Sequence, residues 1–404
     1  MADQTATPPV WRLWLAILGL AIPVYATITL SPLMNGAAMD TLHINEFQIG
    51  LVRTCEVAIN ATLTIWLALR LGRLKPQYLG VAGGLLMLAG NLTVGFGDSV
   101  ATLVAGRLAA GAGAALSATA GSAIIARMAS PHRISASLAI PITTCSVLAA
   151  VVGGRASQAM GLTGVGLTLS VLCVVGLALA LLAPRTPFAK ETPTPRMTQM
   201  AALLRNPYVL ASAITFVGST AVWSFFERKG LSLGLTQTNV GDLIASSSIA
   251  GGLLGTLAIF ARDAHVRVAA VIAVVIFGIG HAMQAIAPNV TAFAAGAFVT
   301  ATTFSYIATF TTAIGVRLDR TGGLNAAGNG WASFFNAFAP AIGGALIMTG
   351  SFLAIAVLCI ACMIATAILL WISARNLPSA KLTEEEASVA IHSTTEPPEP
   401  IHAP

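Results

Sequence analysis

The chain has 404 residues, of which 56% are hydrophobic and only 9% charged, with a formal net charge of +6 and a pI of about 9.4. A domain folded in water carries roughly 25% charged residues, so this composition excludes a soluble enzyme or binding module. The basic balance reads as loops lying against anionic lipid headgroups, not as nucleic-acid binding.

Apolar runs recur from Trp11 to Ile372. Each is long enough to cross a hydrocarbon layer of ~30 Å, which takes ~20 helical residues. The bilayer offers the backbone no hydrogen bonds, and the runs lack period-two alternation, so they predict helices. The fold class expected is an all-α membrane protein of twelve spans: 12–38, 46–69, 76–97, 99–127, 134–159, 162–183, 206–227, 238–261, 266–287, 289–316, 325–349 and 351–374.

The N-terminus MADQTATPPV has no basic region or cleavage site, which predicts no signal peptide. The first span carries Tyr25 and Asn35 as candidate cavity residues. In the second, Arg53, Glu56, Asn60 and Thr64 fall on one helical stripe, with Arg53 and Glu56 spaced to pair directly. Glu56 reads either as a proton carrier that changes partner, tuned by Arg53, or as half of a permanent packing pair. Arg107, well inside the fourth span, costs a few kcal/mol to place in a bilayer. It is expected to face a polar cavity or a carboxylate and to bind or sense charge, the alternative being a snorkelling interfacial arginine. Gly111, Ala114, Ala118 and Gly121 form a small-residue face below it.

Segment 184–205, Pro- and Thr-rich with four basic residues, reads as a cytoplasmic linker between a six-helix bundle over 1–183 and a second over 206–376. In the seventh span Trp223 is a cavity candidate. Glu227, Arg228 and Lys229 close that span and are expected at the outer interface, where Glu227 is a candidate gate for the outer mouth. Asp242 reads the same way. His281 predicts a hydrogen-bonded structural histidine. Tyr306, and Asn329, Ser333 and Asn336 at i, i+4, i+7, complete the cavity candidates, with several phenylalanines close by in sequence. The five cysteines all lie within spans, and Cys359-x-x-Cys362 has no other ligand type near it. No metal is expected, and without a P-loop, a complete G-x-G-x-x-G or H-E-x-x-H, no cofactor either. The acidic, Pro-rich segment 377–404 predicts a disordered cytoplasmic tail.

Of the 21 Lys and Arg, 16 fall before the first span or in loops after even-numbered spans. By the positive-inside rule both termini are cytoplasmic. The two halves align at a nearly constant offset. Gly50 matches Gly241, Gly106 matches Gly296, Arg127 matches Arg317 and Gly153-Gly154 matches Gly343-Gly344, all 190 or 191 residues apart. Parallel six-span repeats about an axis along the membrane normal are the pattern of one large transporter class.

With these features the chain resembles the major facilitator superfamily over nearly its whole length. The family's loop between its second and third helices, G-x-L-A-D-R-x-G-R, corresponds to Ile65-Trp66-Leu67-Ala68-Leu69-Arg70-Leu71-Gly72-Arg73. The resemblance implies an inner gate at Arg70, Gly72 and Arg73, altered because Ile65 and Leu69 replace the family's Gly and Asp. Arg107, Gly111 and Gly113 match the fourth-helix motif, whose arginine is associated with proton coupling. The G-P-x-x-G-G motif of drug antiporters survives in the first half only as Gly153-Gly154, and in the second as Pro340-Ala-Ile-Gly343-Gly344. That tilts the reading away from drug efflux. The function expected is a monomeric secondary transporter of a small organic solute, anionic in the fullest reading, coupled to protons by alternating access in a bacterial inner membrane. Efflux of hydrophobic or amphipathic compounds is the runner-up. A non-transporting sensor with a transporter fold is the alternative from another class.

Overall fold

The structure, a computed structural model, describes residues 9–68, 74–125, 128, 131–185, 202–257, 265–319 and 323–376. Arg70, Gly72 and Arg73, most of segment 184–205 and all of 377–404 lie outside the described residues.

Among the described residues the regular structure is helical: α1 (Val10–Leu42), α2 (Glu46–Ala68), α3 (Pro76–Phe96), α4 (Val100–Ile125), α5 (Pro131–Ala180), α6 (Pro207–Thr215), α7 (Val217–Ser224), α8 (Phe226–Ser232), α9 (Gln237–Gly255), α10 (Val266–Ile286), α11 (Val290–Leu318), α12 (Gly323–Ile347) and α13 (Phe352–Ser373), closed by a 3₁₀ turn (Ala374–Asn376). The helices start where the sequence offers caps. Pro207 follows Asn206, whose side chain accepts from the Tyr208 N–H. Thr236 and Asn239 form a capping box, and the Asn289 and Ser351 side chains cap α11 and α13.

Eight of these helices are long and apolar enough to cross a membrane, and the bent run α6–α7–α8 is a ninth. The twelve-span count is completed in two ways. The 50-residue α5 breaks at Gly161, where φ is +56° and ψ is −134°, a conformation that favours glycine, so its two arms are separate spans. The remaining two are α2 and α9, of 23 and 19 residues, which are less apolar because they carry Arg53, Glu56 and the Ser246–Ser248 run. The seventh span continues past 227 to Ser232, in three helical pieces, with a bend of 42° between α7 and α8.

The glycines that match between the halves sit at matching contacts. α3 crosses α4 where a Cβ on Gly106 would stand 2.6 Å from the Gly90 carbonyl oxygen. α10 crosses α11 where a Cβ on Gly296 would stand 2.8 Å from the Gly280 carbonyl oxygen. Likewise Gly154 on α5 lies against Gly241 on α9, while Gly50 and Gly344 bring α2 and α12 together at Pro340 and Glu46. Each half thus lends its second span to the fifth span of the other. Small residues permit this approach of backbones where lipid supplies no hydrophobic drive.

Several bonds cross between the 10–180 helices and the 207–376 helices at the end of the bundle opposite the chain termini, here called the far end. Arg228 pairs with Asp40 at 2.7 Å and Arg155 with Asp242 at 2.7 Å. Ser157 donates to the Gln237 side chain at 2.7 Å, and the Thr238 N–H donates to Gln158 at 3.2 Å. Together these bonds make up the far-end seal.

Candidate functional site

Glu56 is the centre of a buried charge cluster between α2 and α4. Arg107 grips it with two nitrogens, Nε to Oε2 at 2.8 Å and Nη2 to Oε1. From one turn earlier on α2, Arg53 Nη1 reaches Oε2. Arg107 Nη1 also stands 3.5 Å from the Asn91 Oδ1 on α3. Arg107 is 1% exposed, Glu56 is 4% exposed, and the Arg53 side chain is 11% exposed. The fit depends on Gly111, since a Cβ there would strike the Glu56 backbone. The carboxylate receives guanidinium nitrogens on both oxygens, which is the strong, charge-assisted form of hydrogen bond. Two guanidiniums against one carboxylate leave the cluster with one net positive charge. Of the two arginines, Arg53 is the more accessible.

Arg107 is therefore no snorkelling side chain. Its charge is directed inward to a carboxylate on a neighbouring helix. The Arg53–Glu56 pair expected from the i,i+3 spacing is present and is joined by a third member.

Asn60 and Thr64 continue the Arg53 stripe along α2. On α12, Asn329, Ser333 and Asn336 lie on the same helical face as Pro340 and Gly344, the residues that meet α2 at the far end. Both polar stripes run from the Gly50–Pro340 contact toward the other end of the bundle. Among the described residues the buried Asn336 Oδ1 accepts no hydrogen bond, and Asn329 and Ser333 are exposed.

The other sequence candidates are dispersed. Trp223 Nε1 donates to the Ile28 carbonyl across the halves at 3.2 Å and its ring lies on Phe226. The Tyr306 hydroxyl donates to the Leu254 carbonyl at 2.6 Å. Tyr25 is 48% exposed on α1. Asn35 is buried and donates to the Ser224 carbonyl at 3.0 Å, which places it in the far-end seal. His281 is buried, with Nδ1 3.1 Å from the Phe277 carbonyl oxygen, as a structural histidine should be.

Glu227 corrects the loop role expected of it: it lies at the far end with Arg228 and Lys229, but within α8. It is fully buried, its carboxyl group pressed against Gly36 of α1 where a Cβ would otherwise stand. The reason is tertiary: the span does not end at Glu227, and the bend at Phe225 turns α8 so that this side chain faces α1. Arg228 and Lys229 remain partly exposed. Sequence reasoning also passes over Asn91 and Asp40. Asn91 is a polar residue one position after the Gly90 crossing, and Asp40 is an acid four residues after the Gly36 contact; only the packing gives those positions meaning.

The Major Facilitator Superfamily model matches residues 13–228. No curated protein matches the chain. Among solved structures, a point mutant of the nucleoside transporter NupG superposes with a TM-score of 0.65 at 14% identity, covering 90% of this chain and 98% of its own. A POT-family transporter in complex with a thioalcohol-conjugated peptide gives a TM-score of 0.69 at 11% identity, covering 90% and 96%. The human organic anion transporter MFSD10 (TETRAN) gives 0.66 at 12% identity, covering 90% and 100%. At such identities these likenesses speak to the fold. The family match covers more than half of the chain. With the twelve spans and the matched crossings of the two halves, it places this multi-pass membrane protein, a transporter and not an enzyme, in the Major Facilitator Superfamily.

Proposed function

We propose that this secondary transporter moves a small organic anion together with protons, by rocking the 1–183 bundle against the 206–376 bundle. The observation that carries the reading is the buried cluster of Arg53, Glu56 and Arg107, with its one uncompensated positive charge beside the α2–α12 seam. Arg53 is the arm that leaves Glu56 for an anionic group of the solute, and Arg107 stays on the carboxylate and holds it in place. An anion that takes Arg53 leaves Glu56 with one partner fewer and makes room there for a proton, so anion and proton load together. Asn329, Ser333 and Asn336 supply the polar wall opposite. With the two halves bonded at the far end, the loading site faces the side of the chain termini in this reading, and the distribution of Lys and Arg supports taking that side as the cytoplasm.

A second reading has one observation in its favour. Trp331, Phe334, Phe335 and Phe338 form a ring cluster on α12 with centroids 5.5–6.2 Å apart, a surface suited to amphipathic efflux substrates.

Thermal shift of the purified protein at mildly acid and mildly alkaline pH separates the two. Ligand stabilisation grows with the ratio of concentration to dissociation constant. Stabilisation by organic anions, stronger in acid and lost in Arg53→Gln, supports the first reading. Stabilisation by lipophilic cations, indifferent to Arg53→Gln, replaces it with the second.

A further inference from the structure

A second carboxylate is buried in the opposite half, and its surroundings differ from those of Glu56. Glu227 is 0% exposed, and among the described residues no charged donor makes a well-formed hydrogen bond to Oε1 or Oε2; the neutral Gln237 amide lies beside them. Arg228 follows it directly in sequence, and its Nε stands 3.4 Å from Glu227 Oε2 without the geometry of a hydrogen bond. The rest of that guanidinium is directed to the other half of the protein. Nη2 reaches both the Asp40 carboxylate, at 2.7 Å, and the Gly36 carbonyl, which are one turn apart on α1. One arginine thus bridges α8 to α1 while its own neighbour's carboxylate keeps no well-formed hydrogen bond to a cation.

Among the described residues the charged and titratable groups around Glu227 are few. On α1 there is Asp40, itself held by Arg228, with the exposed His43 just past the helix end. On α9 the charged residue is Asp242, engaged by Arg155, while the Gln237 amide lies beside Glu227 with its Oε1 accepting from Ser157. On α10 His281 is turned to the Phe277 carbonyl. On α8 itself Lys229 sits 5.5 Å from the centre of the Phe352 ring. None of these supplies Glu227 with a full counter-charge. Burying a carboxylate without a hydrogen-bonded counter-charge is costly. A metal cation is a poor candidate for that role, because the carboxyl packs directly on Gly36 and fills the space an ion and its ligands would need.

We propose that Glu227 is a proton-binding site that controls the far-end seal. With the proton on Glu227, Arg228 is free to hold α1 through Asp40 and the Gly36 carbonyl. When the proton leaves to water, the bare carboxylate takes Arg228 from α1, both bonds of that bridge break, and α8 parts from α1. Acid pH therefore closes the far end and alkaline pH loosens it. The bend at Phe225 gives α8 the freedom to move as a short unit. The inference rests on the reading of the protein as a proton-coupled alternating-access transporter, and it places a proton at a site separate from Glu56.

The test is infrared difference spectroscopy of the full chain in lipid nanodiscs between alkaline and acid pH, joined to hydrogen exchange of segment 33–42. The carbonyl stretch of a protonated carboxyl group should appear in the parent protein and in Glu56→Gln, vanish in Glu227→Gln, and move in frequency in Glu227→Asp. Exchange of 33–42, corrected for the intrinsic pH effect, should rise several-fold on the alkaline side in the parent and stay flat in Glu227→Gln. A band that survives Glu227→Gln unchanged, or exchange in that variant that still rises with pH, overturns the proposal. If Glu227→Gln does not fold, the frequency shift in Glu227→Asp decides: an unmoved band overturns it. Anion-dependent thermal shift, measured on the same samples, keeps the two readings apart. Its persistence alongside a failed infrared test removes Glu227 and leaves the transport reading standing.

Discussion

At the scale of single residues, the cluster around Glu56 illustrates why a buried charge is costly to disturb and useful to a transporter. Removing one member of a buried ion pair strands the other, at a cost of about 3–5 kcal/mol. Arg107→Ala should fall near the lower end of that range, because Arg53 still reaches Glu56. Thermal unfolding in detergent measures it, and a loss no larger than that of an exposed arginine would show the bond to be unimportant. Glu56→Gln makes a different demand. Two guanidiniums then face no carboxylate, so organic anions should stabilise this variant more than the parent while pH-driven accumulation in proteoliposomes is abolished. Uphill transport that persists unchanged in Glu56→Gln would remove Glu56 from the coupling mechanism. The sequence showed Arg53, Glu56 and Arg107 to be unusual because charges in apolar spans are rare. It did not show that Arg107 faces Glu56, because helical phase fixes a residue's direction on its own helix and not the rotation of its neighbour.

At the scale of helices, the crossings are decided by a few glycines. A Cβ on Gly106 would meet the Gly90 carbonyl oxygen and Val94 within 3 Å, and a Cβ on Gly296 would meet the Gly280 carbonyl and Gln284 at 2.8 and 3.0 Å. Backbone atoms cannot turn aside, so Gly106→Ala and Gly296→Ala should each cost about 1–3 kcal/mol, the usual cost of overpacking. Gly121→Ala is the internal control, with its nearest neighbour, Leu20, 3.8 Å away. Equal melting temperatures for all three variants would contradict this account. Gly161 is a different case. Its positive φ is a backbone requirement, with Thr41 3.5 Å from a built Cβ, so Gly161→Ala should destabilise by about 1–3 kcal/mol through strain alone. The two spans on either side of Gly161 were legible in the sequence as two apolar runs. The three pieces of the seventh span were not, because Phe216 and Phe225 carry no helix-breaking signature and the bend is imposed by what the helix packs against.

At the scale of the whole molecule, the far-end seal sets which side the proposed loading site faces. The Arg155–Asp242 pair is half exposed, 53% and 43%, and such pairs contribute about 0.2–1 kcal/mol. Asp242→Ala should therefore leave the melting temperature within a degree or two of the parent. It should nonetheless shift the balance of states, since in the proposed rocking motion the seal bonds exist in one state only and a small free-energy difference moves a two-state population. Labelling of a Gln158→Cys reporter in a background lacking the native cysteines measures that shift: faster labelling with Asp242→Ala is expected, and an unchanged rate would show the pair to be indifferent to the state.

The sequence alone determined that the chain lives in a membrane, that it crosses it twelve times, and that its two halves are written on one plan. These are properties of composition, run length and spacing, which the bilayer and the helix period impose on any such chain. The tertiary structure decided which charges meet. It put Arg107 on Glu56, buried Glu227 against Gly36 where an exposed loop charge was expected, and gave Arg228 to Asp40 across the seam. A side chain's neighbours on other helices depend on the rotation and bend of each helix, and those are settled only when every crossing in the bundle is satisfied together.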